Sequence, residues 1–251
     1  MKLIINGDDY GLTMGVSKAI VESMKNGIMG DTTAMANMPA FEESIKYALE
    51  NSITEMGVHL TLSCGKPVLP REEVESLVDE NGYFTKKVYK EGTYNIDEVR
   101  KELKAQIEKF LATGMKMNHI DGHHHLYAIV PAILFEVIEF GKEYGVPVRC
   151  AFNRDLPLFK KHGIICPDYM VTDFYDENIS EEYLINRIKG LQDEGYEIVE
   201  FMAHPAYVDD ELRNLSSYIK PRAEELKIYT SERLKKFISD NNIEIVGYSS
   251  L

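Results

Sequence analysis

The segment from residue 118 to residue 127 reads Asn-His-Ile-Asp-Gly-His-His-His-Leu-Tyr and holds four of the seven histidines of the chain. The run from 115 to 120 has alternating apolar character and predicts a short strand. Side chains two positions apart share one face of a strand. The residues that could line one face are His119, Asp121, His123 and His125. Gly122 permits a break in the pattern, so we expect the strand to end near it.

Several imidazoles beside a carboxylate at a strand end suit a borderline metal ion such as zinc. The alternative interpretation is a surface histidine run without a ligand. The run is internal and follows an apolar strand, which argues against that alternative. The segment therefore predicts a functional site.

Strand and helix patterns alternate along most of the chain, which is typical of a parallel sheet with crossover helices. The predicted strands cover residues 2–6, 32–36, 56–62, 115–120, 146–150, 167–172, 197–203 and 243–248. The predicted helices cover residues 16–26, 39–49, 96–112, 131–144, 180–192 and 232–241. This number of strands favours an α/β fold of the TIM-like (β/α) barrel type, with residues 1–251 as a single domain. Residues 65–94 are irregular and are expected to form an excursion over the active face.

The composition is that of an ordinary globular protein, with 44% hydrophobic and 27% charged residues among 251. The formal net charge of -13 argues against a nucleic-acid partner bound through its phosphates. No apolar run approaches the roughly 20 residues of a membrane helix, so no membrane association is expected. The N-terminal apolar run is too short for a signal peptide, and the three cysteines form no CxxC pair. We therefore expect a cytoplasmic protein.

Residues that could act in catalysis or bind a metal fall at or just past the end of four predicted strands: Asp8 with Asp9, His59, His123 and His204. In a (β/α) barrel the carboxyl ends of the strands form the active face, so these groups should meet. The side chains of adjacent residues diverge on extended backbone, which would let one of the two aspartates bind a metal while the other acts as a base.

Each of these residues also has an ordinary structural interpretation. The aspartates could cap the helix that follows. His59 and His204 could be hydrogen-bonded core residues, although Pro205 restricts the backbone of His204. Arg149, at another strand end, could form a surface ion pair or hold a catalytic carboxylate ionised and oriented.

Two imidazoles and one carboxylate leave coordination positions open for water and substrate, as catalytic metal sites require. An ion held in this way would lower the pKa of water and polarise a carbonyl, which suits hydrolysis of an amide or an ester. A serine nucleophile elbow and a glycine-rich phosphate loop are both absent from the sequence.

The sequence resembles the YdjC-type carbohydrate deacetylases, which include the chitooligosaccharide deacetylases. The matching motifs run from the start of the chain to beyond residue 204. They are Asn6-Gly7-Asp8-Asp9-Tyr10-Gly11-Leu12, Gly57-Val58-His59-Leu60-Thr61-Leu62 with Gly65-Lys66-Pro67, His119-Ile120-Asp121-Gly122-His123-His124-His125, and Met202-Ala203-His204-Pro205-Ala206.

The resemblance implies a TIM-like barrel that removes N-acetyl groups from amino sugars or chitooligosaccharides. It implies one divalent metal ion, Mg²⁺ or Zn²⁺, held by Asp9, His59 and His123. It also implies that Asp8 is the base and His204 the acid. Gly122, Gly7 and Tyr127 depart from the family pattern; none removes a proposed ligand, but Tyr127 leaves the identity of the sugar open.

Further residues have expected supporting roles. Tyr10, Tyr127 and Tyr207 each follow a proposed catalytic group and could present ring faces to a pyranose, or could simply pack at the barrel rim. His124 should point away from His123 and be structural, and His125 should support the site or form its wall. The competing hypotheses are another metal-dependent hydrolase, such as a two-metal phosphoesterase or amidohydrolase, and a non-catalytic sugar- or metal-binding protein. A homodimer is also considered.

Overall fold

The computed structural model describes residues 1–90 and 92–251, which form seven strands and ten α-helices. The strands are β1 (Lys2–Tyr10), β2 (Asp31–Ala34), β3 (Glu55–Leu60), β4 (Lys116–Gly122), β5 (Tyr169–Val171), β6 (Ile198–Ala203) and β7 (Glu244–Ile245). The helices are α1 (Met14–Asn26), α2 (Phe41–Glu50), α3 (Ile96–Leu111), α4 (Leu126–Ile129), α5 (Pro131–Tyr144), α6 (Leu156–Lys161), α7 (Glu181–Asp193), α8 (Asp210–Leu215), α9 (Lys220–Tyr229) and α10 (Glu232–Asp240).

The strands form one sheet in the order β4-β3-β2-β1-β6-β5, with β7 paired to β1, and every pair is parallel. The central strand β1 is buried along almost its whole length, including Leu3, Ile4 and Ile5. Burial on both faces is expected of a parallel strand covered by crossover helices. The predicted α/β fold with a parallel sheet is confirmed.

Closure of the sheet into a barrel is not observed among the described residues, because the paired strands end at β4 and β5. The segment from 146 to 150, predicted as a strand, makes a single bridge from Val148 to Ile120 of β4. Pro147 within it has no N–H to donate. On the other side, the Asn153 amide bonds the backbone N–H and C=O of Met170 in β5, at 2.8 and 3.0 Å. The Asn153 side chain thus occupies the backbone hydrogen-bonding groups of Met170 that a further strand would pair with.

Several helices begin where the sequence offers a cap or a proline. The side chains of Thr13, Asn95 and Ser180 accept backbone N–H groups at the starts of α1, α3 and α7, and Pro131 opens α5. The sequence did not predict α9, because its buried face includes two charged residues, Arg222 and Glu225. Apolar periodicity, the usual signal for a surface helix, is therefore weak there.

The described residues of the excursion from 65 to 94 form two short 3₁₀ turns, at Arg71–Glu73 and Lys86–Tyr89, and one antiparallel bridge between Val78 and Phe84. Glu102 of α3, which is fully buried, accepts the backbone N–H groups of Val68 and Leu69 at 2.8 and 3.0 Å. These bonds fasten the segment to α3.

No single helix in the described ranges is both long and apolar enough to cross a membrane. The pair His123–Ile129 and Pro131–Tyr144 meets that test only when taken together, and it is bent by 101°.

Candidate functional site

A cavity of about 480 Å³ opens at the carboxyl ends of β1, β3, β4 and β6. This volume lies in the roughly 300–1,000 Å³ range of small-molecule sites. Its walls include Asp8, Asp9, His59, His123, His204 and Arg222. The strand ends therefore bring together the groups that the sequence placed there. The excursion 65–94 contributes none of the lining in the described part of the chain.

Asp9, His59 and His123 form a set that could hold a metal ion, with one ligand atom from each and all three within 4.8 Å of one another. Oδ1 of Asp9 lies 2.9 Å from Nδ1 of His123 and 3.4 Å from Nε2 of His59. Even so, Oδ1 of Asp9 is buried and completes no hydrogen bond. The Asp9 oxygen and the two histidine nitrogens can therefore point their lone pairs at a cation between them. One carboxylate oxygen and two imidazole nitrogens are a set of ligands that suits zinc.

The two adjacent aspartates point to different partners because the backbone turns between them. Asp9 has a φ of +69°, in the left-handed region that non-glycine residues rarely occupy, and the pairing of β1 with β2 shifts between Gly7 and Tyr10. Asp8 contacts Arg149 while Asp9 contacts Arg222. The divergence expected from an extended strand is thus produced by a local departure from it. Such backbone strain is concentrated at functional sites.

His59 is oriented from behind by Asp121. Nδ1 of His59 lies 2.8 Å from Oδ1 of Asp121, which also accepts the Thr33 hydroxyl at 2.7 Å. A carboxylate on one ring nitrogen fixes the tautomer that leaves the other nitrogen free for a metal. Burial disfavours a charged ring, but Asp121 and Asp9 outweigh burial and raise the pKa of His59 to about 10. The surroundings of His59 therefore favour a positive charge, which a proton or a divalent cation can supply.

Arg149 is fully buried among three carboxylates, so it does not form the surface ion pair that was one alternative. Its two terminal nitrogens donate to both oxygens of Asp8, each at 2.8 Å, and Nε donates to Glu200 at 2.8 Å. Nη1 also lies 3.0 Å from Asp121. Burial opposes the charge, yet these carboxylates hold the pKa of Arg149 well above its usual value.

A second group that could hold a cation consists of Asp8, His59 and Asp121. Two of its members are carboxylates already paired with Arg149, which lies against both. A cation there would meet the guanidinium charge at close range. The geometry therefore favours a single metal position, at Asp9, His59 and His123.

Helix α9 contributes two site residues that the sequence analysis missed. Arg222, almost fully buried, donates from Nη2 to Oδ2 of Asp9 at 2.6 Å, while its Nη1 has no hydrogen-bond partner. Burial opposes ionisation of Asp9, but His123 and Arg222 outweigh it and hold the pKa of Asp9 well below its usual value. Arg222 thus occupies one oxygen of Asp9 and leaves the other towards the histidines.

Glu225, the second of these residues, supports His204 at the end of β6. Oε2 of Glu225 accepts the backbone N–H of His204 at 2.6 Å, and burial raises the pKa of Glu225 to about 8. Nε2 of His204 lies 3.8 Å from Oδ2 of Asp8. Burial lowers the pKa of His204 to about 4, so its ring is neutral at neutral pH. A general acid must carry a proton when it acts, so the acid role implied for His204 requires its ring to gain one.

The histidine run does not continue the strand. β4 ends at Gly122, and His124 and His125 both adopt positive φ values, +57° and +51°. The expectation that His124 points away from His123 is wrong, because the turn places their rings 3.8 Å apart. His124 and His125 both line the cavity. His119 is not among the lining residues; it is fully buried, and its ring stacks on that of Tyr248 with centroids 3.9 Å apart.

Gly57 is required by the position of His119. A Cβ atom at residue 57 would lie 2.3 Å from the His119 ring, so a larger residue would collide with it. The glycine at this position of the motif is therefore explained by close packing and not by a catalytic role.

The three tyrosines predicted to face a sugar do not line the cavity. Tyr10 is fully buried and donates its hydroxyl to the Ser44 carbonyl at 2.6 Å. Tyr127 is also buried and donates to the Arg149 carbonyl at 2.6 Å. Tyr207 is 50% exposed but is not part of the cavity wall. Tyrosines that the sequence did not single out, Tyr175 and Tyr218, line it instead.

Comparison with known proteins gives consistent matches over nearly the whole chain. The family model of YdjC-like proteins matches residues 2–240. A protein named carbohydrate deacetylase from Thermoanaerobacter pseudethanolicus is 40% identical over 250 residues, covering 99% of this chain and 98% of its own. One of the same name from Brevibacillus brevis is 37% identical over 257 residues, covering all of both chains.

A solved structure has the same fold. It is the Enterococcus faecalis V583 protein titled "putative cellobiose-phosphate cleavage protein", with a TM-score of 0.94 and 37% identity over 99% of this chain and 98% of that one. The motifs quoted from the sequence, the fold and these matches agree. The chain belongs to the YdjC-like protein family.

Proposed function

We propose that this protein is a metal-dependent hydrolase that removes N-acetyl groups from acetylated amino sugars or chitooligosaccharides. The observation that carries the proposal is the buried Oδ1 of Asp9, which completes no hydrogen bond although two histidine nitrogens lie within 3.4 Å, in a cavity large enough for a small molecule. The curated relatives named carbohydrate deacetylases support the same reaction.

Asp9, His59 and His123 would hold the divalent ion. When bound there, the ion supplies Lewis-acid chemistry, which polarises a carbonyl and lowers the pKa of water. Two imidazoles with one carboxylate favour Zn²⁺ over Mg²⁺, which prefers an all-oxygen set. Arg222 keeps Oδ2 of Asp9 occupied, so that Oδ1 is the oxygen available as a ligand.

Asp8 is the proposed general base. Its contacts with Arg149 fix the plane of the carboxylate, which can accept a proton from the attacking water. The neutral His204 ring, 3.8 Å from Asp8, then carries a proton to the departing nitrogen. The proton taken from water thus leaves on the sugar amine, and the acetyl group leaves as acetic acid, which then ionises to acetate. In this scheme His204 becomes charged only during turnover.

The competing two-metal hydrolase needs a second cation among the remaining carboxylates. Arg149 already neutralises Asp8 and Asp121, which the second candidate group requires. The structure therefore gives more support to a one-metal deacetylase.

The direct test measures acetate released from N-acetylated chitooligosaccharides by the chelator-treated protein, before and after addition of single divalent metals. We expect no release without metal, restored release with zinc, and one bound ion per chain. His204→Ala should retain the metal and lose about 10²–10⁴-fold in turnover. His162→Ala is the matched control, because His162 lies outside the cavity wall. Release that persists in the chelator, or two bound ions per active chain, would contradict the proposal.

A further inference from the structure

Two tyrosines form an aromatic wall on the side of the cavity next to His204. Tyr175 follows β5, and Tyr218 precedes α9. Their rings stack with centroids 4.3 Å apart and an angle of 6° between their planes. Both rings meet the His204 ring edge-on, with centroids 6.0 and 5.8 Å away. The wall thus borders the residue proposed to protonate the leaving nitrogen.

The wall is held in place by hydrogen bonds of the Tyr218 hydroxyl. The Tyr218 hydroxyl donates to Oε1 of Glu225 at 3.2 Å and accepts the backbone N–H of Asp176 at 3.3 Å. Asp176 has a φ of +51°, so the chain turns sharply just after Tyr175. The Tyr218 hydroxyl therefore links the loop after β5 to Glu225 of helix α9, the residue that accepts the backbone N–H of His204.

The ring of Tyr175 remains open to solvent although Tyr218 covers one of its faces. Tyr175 is 42% exposed, while most large apolar and aromatic side chains of the chain are buried. Leu215, 42% exposed, lines the same cavity. An exposed aromatic ring beside polar groups that lack hydrogen-bond partners indicates a binding surface for a ligand with one apolar face.

We propose that Tyr175, supported by Tyr218, is the stacking surface for the pyranose ring that carries the departing nitrogen. A pyranose presents C–H groups on its faces and hydroxyls around its rim, so a ring face contacts tyrosine while the rim meets polar groups. The unpaired Nη1 of Arg222, which lines the cavity, offers a donor to such a rim. This inference rests on the proposed function and assigns the substrate-binding role to Tyr175 in place of Tyr10, Tyr127 and Tyr207.

The experiment compares Tyr175→Ala, Tyr175→Phe and Tyr207→Ala in the zinc-loaded protein. Tyr207 is the matched control, since it is 50% exposed but outside the cavity. Two quantities are measured: kcat and KM for acetate release from N,N′-diacetylchitobiose, and the affinity for chitobiose, which has no acetyl group to lose. Circular dichroism and bound zinc establish that each variant is folded and loaded.

We expect Tyr175→Ala to raise KM and to weaken chitobiose binding about 3- to 10-fold, with kcat changed less than about twofold. Tyr175→Phe keeps the ring face and should stay within about twofold of the parent, as should Tyr207→Ala. Equal effects of Tyr175→Ala and Tyr207→Ala, or loss in kcat alone, would overturn the inference. If chitobiose binding depends on Tyr175 but no acetylated sugar releases acetate, the stacking surface stands and the deacetylase proposal fails.

Discussion

Two buried arginines clamp the two adjacent aspartates of β1, and they do so in different ways. Arg149, in the segment beside β4, uses both terminal nitrogens on Asp8 and its Nε on Glu200. Arg222, in the first turn of α9, gives one nitrogen to Asp9, one to the Tyr218 carbonyl, and leaves one unpaired. Asp8 is therefore held at both oxygens, whereas Asp9 keeps one oxygen free.

The difference separates a carboxylate that is ion-paired at both oxygens from one with an oxygen available to a cation. The positive charge of Arg149 is opposed by three carboxylates, those of Asp8, Asp121 and Glu200. Around Arg222, the free oxygen of Asp9 faces His59 and His123. In the proposed mechanism, the same pair of residue types thus supports a base on one side and a metal ligand on the other.

The strongest test of the proposed roles of Asp8 and Asp9 replaces each carboxylate with an amide. We expect Asp9→Asn to lower metal affinity by more than about 100-fold, because it changes a proposed ligand. Asp8→Asn should keep the metal and lose about 10²–10⁴-fold in turnover, the range for a general base. Metal content by mass spectrometry and acetate release measure both. Equal metal loss in the two variants would remove the distinction between Asp8 and Asp9.

Arg149→Met should reduce stability more than Arg222→Met, because Arg149 pairs with three buried carboxylates and Arg222 with one. Removing one partner from a buried ion pair costs roughly 3–5 kcal/mol, because the remaining carboxylates stay buried and uncompensated. The free energy of unfolding by urea measures the loss. Arg154→Met is the control, since the Arg154 side chain is 72% exposed. A cost similar to that of the control would mean that the carboxylates around Arg149 take up protons at no penalty.

Arg222→Met should respond to metal in a way that Arg149→Met does not. Without Arg222, the Asp9 carboxylate lacks its cationic partner, and a bound divalent ion replaces that charge. We expect added zinc to raise the Tm of Arg222→Met by at least about 2–4 °C more than that of the parent, the shift produced by 1 kcal/mol in a domain of this size. A smaller zinc response than in the parent would show that Arg222 mainly positions Asp9 for binding.

The smallest expected effect concerns Glu225, one turn along from Arg222. Its pKa is about 8 in the folded protein against an ordinary 4.5, so the folded state retains a proton that the unfolded state has lost between these values. Its contribution to stability therefore falls as pH rises from 4.5 to about 8. Glu225→Gln keeps an acceptor for the His204 N–H and carries no charge.

We expect the Tm of Glu225→Gln, relative to the parent, to rise by about 2–4 °C or more between pH 5 and pH 9. Thermal unfolding at a series of pH values measures it. Glu224→Gln, at a residue with a 47% exposed side chain, should show no such trend. A flat difference for Glu225→Gln would indicate that Glu225 is ionised in the folded protein at neutral pH.

The sequence by itself determined the alternation of strands and helices and the residues at the strand ends. Strand polarity requires the carboxyl ends of parallel strands to meet at one edge, so Asp8, Asp9, His59 and His204 could be grouped without a structure. The family motifs then distinguished the proposed ligands from the proposed acid and base. Both signals are local, because each depends on a few neighbouring residues and on the direction of one strand.

Only the tertiary structure decided which charged and aromatic residues complete the site. Arg222 meets Asp9 across 213 positions of sequence, and α9 carries no apolar pattern that would predict the contact. Tyr10 and Tyr127 were predicted at the site and are buried, while Tyr175 and Tyr218 enter it from separate loops. The open sheet between β4 and β5 likewise involves distant contacts, among them the bonds from Asn153 to Met170. The physical reason is that burial and pairing of a side chain depend on the packing of elements distant in sequence, for which the chain holds no local signal.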